Sequence, residues 1–337
     1  MDRTACQNSL CFPSEMKLSR RESMRRATAS LLPPVLLPTG LLLPGVSRPE
    51  GNGAERGCTL GFSTYGMKNL PTEKAIQIIG EIGFDAVELT VWEGWDADSA
   101  RMNRKRRLEL RQRIADSGLY LTSLMEHVTP LGSGRQKKAI QRLKHAGDLA
   151  HDLVPESPPI LQTVLGSGNF SSQRNELRDH LGEWIRLAKS NRSVIAIKPH
   201  RGGVVSRPSE AVWLFEQLGK PERLRMVYDY SHYAFRNLSV QQTVQTALPF
   251  TSHVAVKDAV QQKDRVVFKL PGENQTIDFA EIIRTFHAGG YRRDINCEVS
   301  GMVWNQKGYD PQVAARTCYR NMAKAFRQAD VPRKHRG

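Results

Sequence analysis

The sequence predicts an α/β fold, a closed (β/α)8 barrel, and three observations carry that prediction. Eight short apolar runs alternate with eight helical patterns between residues 58 and 329. Several helical patterns stop at glycine, at Gly118, Gly219 and Gly289-Gly290, as helices do where the chain turns back. The doubly wound open sheet shares this alternation but usually carries a Gly-rich phosphate turn after its first strand. Gly61-Phe62-Ser63-Thr64-Tyr65-Gly66 is not that turn.

In chain order, strands are expected at 58–64 (CTLGFST), 85–91 (DAVELTV), 119–125 (LYLTSLM), 160–165 (ILQTVL), 193–198 (SVIAIK), 225–229 (RMVYD), 252–257 (SHVAVK) and 294–299 (DINCEV). Helices are expected near 72–82, 104–117, 135–152, 173–190, 208–219, 239–247, 278–288 and 311–329. Pro71-Thr72-Glu73 opens the first helix and Ile82-Gly83 closes it. The segment 263–277, DRVVFKLPGENQTID, is extended and rich in turn residues, which predicts a loop or hairpin over the C-terminal face of the barrel.

Chain length and composition suit one barrel domain over 58–329. Of 337 residues 39% are hydrophobic, enough for a sizeable core. The net charge is +15; residues 1–50 hold seven basic and four acidic side chains, leaving +12 on the remainder. That balance admits anionic partners. The basic residues are dispersed, however, as along Arg101, Arg104, Lys105, Arg106, Arg107, Arg111 and Arg113, which reads as a solvated helix face. No aromatic-interleaved basic segment suited to stacking bases is present, so no specific nucleic acid is expected as partner. Five cysteines, two of them at Cys6 and Cys11, include no CxxC pair, and free buried thiols are expected at Cys58, Cys297 and Cys318.

Residues 1–50 read as a leader. Ser19-Arg20-Arg21-Glu22-Ser23-Met24 and Arg25-Arg26 precede an apolar stretch broken by Pro33, Pro34, Pro38 and Pro44. This resembles a twin-arginine export signal with no A-x-A cleavage site after the apolar stretch, and a disordered basic extension is the other reading. The prolines forbid a regular membrane helix. An exported, periplasmic location follows if the leader is genuine, and a cytoplasmic one otherwise. Residues 51–57 read as a linker and 330–337 as a basic tail.

The C-terminal half concentrates the candidate chemistry. Asp229, His253 and Glu298 lie at or near the ends of successive predicted strands, and Lys198 ends the strand before them. Barrel chemistry sits at strand ends, so these four are expected as neighbours. Two carboxylates and an imidazole form an oxygen and nitrogen donor set suited to a divalent metal, Mn, Mg, Co or Zn. Lys198 stands where a fourth ligand would be expected, and an ammonium cannot be one.

The segments FDAVEL, IAIKPHRGG, VYDYSH, HVAVKD, LPGENQTIDF and INCEVSG, in that order, resemble the xylose-isomerase-like TIM-barrel family of sugar and sugar-phosphate isomerases and epimerases. The resemblance runs from about residue 58 to 329. It implies metal ligands at Asp229, His253 and Glu298, with Lys198-Pro199-His200 replacing the family's Glu-x-His. It also implies a metal-assisted enediolate, with Glu298 and Lys198 as the proton-transfer pair. Lys198 then acts either as a base or as an ammonium that replaces the metal and stabilises the oxyanion.

Five further residues are candidates for binding substrate. His232 and Lys257 resemble family positions, His200 follows the fifth strand, and Glu88 and His127 end the second and third. Structural roles account for Glu88 and His127 equally well. Trp92, Trp95 and Trp304 offer an apolar platform for a sugar ring or pack a lid. Arg201 could meet an anion, although a plain turn is the leading account of Arg201-Gly202-Gly203.

A carbohydrate isomerase or epimerase, with a divalent metal or Lys198 stabilising the oxyanion, is the leading expectation, with a small-molecule carbohydrate as partner and a homo-oligomer as assembly. The alternatives are a sugar lyase sharing the enolisation, a non-catalytic carbohydrate-binding barrel, and an endonuclease IV-like nuclease, for which the His and carboxylate set is too small.

Overall fold

The computed structural model describes residues 57–335. The expected leader and most of the linker lie outside the described residues. Eight parallel strands close into a barrel: β1 (Thr59–Ser63), β2 (Ala86–Thr90), β3 (Tyr120–Met125), β4 (Ile160–Thr163), β5 (Ile195–Ile197), β6 (Leu224–Tyr228), β7 (Thr251–Val256) and β10 (Asp294–Cys297). The order around the barrel is sequential, with β10 closing onto β1 through the register Thr59↔Asp294 to Phe62↔Cys297. The principal helices are α1 (Thr72–Ile82), α2 (Arg104–Asp116), α3 (Arg135–Leu153), α4 (Phe170–Ser190), α5 (Pro208–Gln217), α6 (Val240–Ala247), α7 (Phe279–Ala288) and α9 (Pro311–Ala329).

The main core contains residues that alternate along the strands, such as Leu60 and Phe62, Val87 and Leu89, and Ile195 and Ile197, packed with helix residues such as Leu143, Trp184 and Phe326. Each such side chain contributes roughly 1.5–3 kcal/mol on burial. A second, small cluster of Ile160, Ala196, Val227 and Ala255 is separate from that core. The other strand positions are polar and buried: Glu88, Ser123, Gln162, His253 and Asn296. On β2, β4, β7 and β10 these polar residues have the opposite strand parity to the main core and share a face with the second cluster, so the barrel's inner face carries the polar groups that build the site.

Local chemistry sets the helix ends. Asn103, Asn169, Ser239 and Asp278 cap α2, α4, α6 and α7 by accepting the backbone N–H three residues on. α1 borrows its cap: the Thr72 N–H and hydroxyl both donate to Asp96, at 2.8 and 2.7 Å. Gly83 ends α1 at φ +98°, where a Cβ would also stand 3.2 Å from the Tyr319 hydroxyl. Gly83→Ala is therefore expected to lower stability by about 1–2 kcal/mol in urea unfolding. An unchanged midpoint would show that the turn relaxes freely. The basic helix α2 buries only Leu110 and Ile114, while Arg106 pairs with Glu73 and Asp96 and Arg107 with Asp152.

Three features depart from expectation. The hairpin begins at Asp258, five residues before the expected segment: β8 (Asp258–Gln262) pairs antiparallel with β9 (Arg265–Lys269). Its Phe268 ring lies 5.1 Å from the Lys257 ammonium and 5.0 Å from the His232 ring. A short helix, α8 (Gly301–Trp304), follows the last strand. The expected basic tail is tied down as far as Lys334: Cys58 N–H donates to Pro332, Lys334 N–H donates to Cys58, and Arg333 pairs with Asp85 at 2.8 Å. Cys58, Cys297 and Cys318 are buried free thiols. Among the described residues, no helix is long and apolar enough to cross a membrane.

Candidate active site

The register between β6 and β7 decides which side chains meet. Met226 faces Thr251, but Val227 faces His253, so the pairing skips Ser252. Continued one step past Tyr228↔Val254, that register brings Ala255 level with Asp229. His253 lies four residues before Lys257, about 13 Å away along an extended strand. On β10, Cys297 faces Val256, and Glu298 N–H donates to the Val256 carbonyl at 3.0 Å, which aligns Glu298 with Lys257.

Lys257 therefore occupies the place expected for an ion. Its ammonium donates to Asp229 Oδ2 and to Glu298 Oε1, the latter at 2.8 Å. Lys198 Nζ donates to the other oxygen, Glu298 Oε2. Asp229 Oδ1 accepts from the Ser231 hydroxyl at 2.6 Å and its N–H at 3.2 Å. The four charged groups are at most 6% exposed. Burial alone would raise the Glu298 pKa; the ammoniums of Lys198 and Lys257 outweigh it and hold the carboxyl well below its usual range. Burial would likewise lower that of Lys257, but Asp229 and Glu298 raise it.

His253 belongs to a different cluster. Its Nδ1 faces Asp294 Oδ2 at 2.5 Å and its Nε2 faces Glu88 Oε2 at 3.2 Å, as ion pairs rather than well-aligned hydrogen bonds. Glu88 also accepts from Gln162 and, at 3.4 Å, from Asn296. Against the opposing effect of burial, Asp294 and Glu88 push the His253 pKa up to about 10, so the ring is cationic at neutral pH.

These placements correct the expected ligand set. Asp229 and Glu298 share a partner, but that partner is an ammonium, and His253 is committed elsewhere. Among the described residues no group of three or more His, Cys, Asp or Glu side chains is placed to hold a metal ion. The residues present do not fit a divalent ion, which would have to share the two carboxylates with Lys198 and Lys257.

A cavity of about 380 Å³ opens beside this cluster at the C-terminal ends of the strands. Lys198, Glu298, His127 and His200 line it, together with Tyr65, Trp92, Glu126, Gln162 and Arg201. The cavity lining does not include Asp229, Lys257, His232, Glu88 or His253. His232 instead supports His200, with ring centroids 4.0 Å apart. Its Nδ1 accepts the Arg201 N–H at 3.2 Å, which leaves the proton on Nε2, 3.4 Å from Asp229. Burial first, then the charges of Lys257 and Lys198, pushes the His200 pKa down to about 4. Burial also lowers that of His127. Neutral imidazoles thus share the cavity wall with a lysine ammonium.

Tyr65, which also lines the cavity, packs against Trp92, Trp95 and Trp304 with centroids 5.1–5.5 Å apart. Trp92 and Trp95 are 5.4 Å apart, so the expected aromatic platform is one connected cluster. Sequence reasoning missed Tyr65, although it follows the first strand, and it missed Glu126, although that residue precedes His127. Glu126 is held by Arg142, whose Nη2 reaches it at 2.6 Å while Nη1 reaches Asp98 at 2.6 Å. No sequence signal marks Arg142 as buried, because it sits among the charges of an amphipathic helix.

The profile of the xylose isomerase-like TIM-barrel family matches residues 76–329. The chain belongs to that family. No curated protein matches this xylose isomerase-like barrel. Among solved structures, a 3-keto-D-glucoside 4-epimerase from E. coli is similar at 13% identity and TM-score 0.59, over 80% of this chain and 99% of that one. An L-ribulose 3-epimerase is similar at 15% identity and TM-score 0.62, over 81% and 96%. A xylose isomerase-like TIM-barrel protein from Mycobacterium smegmatis, in complex with magnesium, is similar at 15% identity and TM-score 0.62, over 82% and 99%. At these identities the likeness is one of fold.

Proposed function

We propose that this family member is an isomerase or epimerase of a sugar or related polyhydroxy carbonyl compound, working through an enediolate with Lys198 in the role of the oxyanion's cation. One observation carries the reading: the cavity wall joins a buried ammonium, fixed by Glu298, to a neutral imidazole at His200. The substrate's carbon chain lies against Tyr65 and Trp92. Its carbonyl oxygen accepts a hydrogen bond from Lys198, and His200 takes the proton from the adjacent carbon. The electron pair left behind becomes the enediolate, whose oxygen charge Lys198 stabilises. Return of the proton to the neighbouring carbon, with the hydroxyl proton passing to the former carbonyl oxygen, gives isomerisation; delivery of a proton to the opposite face of the same carbon by a second donor such as water gives epimerisation. Glu298, with both oxygens on ammoniums, holds Lys198 in place; it is a poor base in this state.

The test is solvent exchange. Protein incubated with a panel of aldoses and ketoses in D2O is expected to place deuterium on carbon next to the carbonyl. Lys198→Met should slow that exchange by about 10²–10³-fold, the loss typical of a deleted oxyanion donor. Wild-type exchange rates in the Lys198→Met protein would remove Lys198 from the chemistry. The pairing of both Glu298 oxygens also favours a second reading, a carbohydrate-binding barrel without turnover. Sugar binding with no deuterium incorporation would select it.

A further inference from the structure

We propose that His127 is a second catalytic residue of this site, set across the cavity from His200 to deliver a proton to the other face of the same carbon, which makes the protein an epimerase. The inference rests on the enediolate reading and adds the group that decides its stereochemistry. The cavity is not centred on Asp229 and Lys257. Most of its wall comes from the ends of β3, β4 and β5, including Glu126 and His127, Gln162 and Thr163, and Lys198 and His200. In the barrel β4 lies between β3 and β5. A substrate carbon over the end of β4 therefore has His127 on one side and His200 on the other.

The backbone holds both rings against β4. Thr163 carries the two links: its hydroxyl accepts the Val128 N–H at 3.1 Å and its carbonyl accepts the Lys198 N–H at 2.8 Å. Farther out, Gly166 sits at φ +81° between the same two loops. Its carbonyl accepts the Val204 N–H at 2.8 Å, and a Cβ there would stand 2.7 Å from the Thr129 methyl. Both imidazoles are within reach of a ligand, since His127 is exposed and His200 partly exposed. Among the described residues, none hydrogen-bonds a ring nitrogen of either. The His127 ring instead rests on Trp92, with centroids 4.8 Å apart. Glu298 and Lys198, the proton-transfer pair expected from the sequence, are bonded to each other, whereas the two imidazoles are free to move protons.

The step balances without a further reactant. His200, neutral, takes the proton from the carbon next to the carbonyl, and the C–H electron pair forms the enediolate against Lys198. His127, entering as the protonated ring, gives its proton to the opposite face of that carbon, and the carbonyl re-forms. His200 is left protonated and His127 neutral, and exchange with solvent resets both.

Epimeric ketohexose pairs, D-fructose with D-psicose and D-tagatose with D-sorbose, incubated in D2O with the full chain, test this. Wild type should interconvert at least one pair. His127→Asn should epimerise that pair at least about 10²-fold more slowly, yet label the epimer whose hydrogen faces His200 within about threefold of the wild-type rate. His200→Asn should label only the other epimer. A ring with a merely structural role would slow both labels together. Circular dichroism and the unfolding midpoint check that both variants fold. Wild-type epimerisation by His127→Asn, or labelling of both epimers by it, overturns the role of His127 and leaves the enediolate reading standing. So does a wild type that labels a sugar but yields only its aldose isomer. Absence of label from every one of these sugars with wild type overturns both.

Discussion

Replacing Lys257 with methionine is expected to cost about 3–5 kcal/mol of folding free energy, the loss seen when one partner of a buried ion cluster is removed. Lys257 is 2% exposed and bridges Asp229 and Glu298, which are themselves buried. Methionine fills most of its volume, so the cost is electrostatic rather than a cavity. Glu298 retains Lys198, but Asp229 would keep only the Ser231 hydroxyl and N–H and the distant His232. Asp229 is therefore the stranded charge, and Asp229→Asn in the Lys257→Met background should recover more than half of the loss. Urea unfolding of the wild type, the single variant and the double variant measures this. A single-variant loss under about 1 kcal/mol would mean that Lys257 is not the counter-ion of this cluster.

The same comparison tests whether a two-lysine cluster stabilises the fold or serves chemistry. Lys198 lines the cavity and Lys257 does not. Loss of Lys198 should therefore be read mainly in solvent exchange, and loss of Lys257 mainly in stability. The division follows from the position of Phe268, which covers Lys257 from the hairpin side.

The barrel was legible in the sequence because each strand buries both faces, so its apolar run is short, nearly continuous and bounded by turns. The hairpin start was hidden because Val256-Lys257-Asp258-Ala259 contains no glycine or proline to separate β7 from β8. The convergence of Lys198, Asp229 and Glu298 also followed from strand order. The misplacement of His253 has a different origin. His253, Ala255 and Lys257 share one strand parity, so periodicity cannot say which of them meets Asp229. The skipped pairing at Ser252 decides it, and a bulge of this kind leaves no trace in hydrophobic pattern. Arg201 reads in the sequence as part of a plain turn, because a glycine pair after an arginine says nothing about which groups face it. The structure shows that Glu126 and Glu298, which line the same cavity, are paired with other cations.

Stability should fall by about 2 kcal/mol between pH 7 and 8.5 through His253 alone. The folded-state pKa, about 10, lies above the ordinary value of 6.5. The group therefore contributes fully below about pH 6.5, and its contribution is lost as pH rises towards 10. Within that window the native state holds a proton that the unfolded chain has released, and the slope approaches about 1.4 kcal/mol per pH unit. Asp294 and Glu88 supply the effect, one on each ring nitrogen. The reverse holds for Glu88, whose pKa is lowered against burial by His253, so its contribution is present above its ordinary value of 4.5 and lost in acid. His253→Gln removes the titrating proton while keeping a polar side chain. The variant should be less stable at pH 7, by about 3 kcal/mol or more, since it leaves two buried carboxylates without their cation. Its loss relative to wild type should shrink as pH rises from 7 to 8.5. Taking the difference between the two proteins cancels the other groups that titrate there, including the buried Cys58 thiol, which burial pushes up to about 12. Parallel pH profiles for the two proteins would show that the ring is not held as a cation between Asp294 and Glu88.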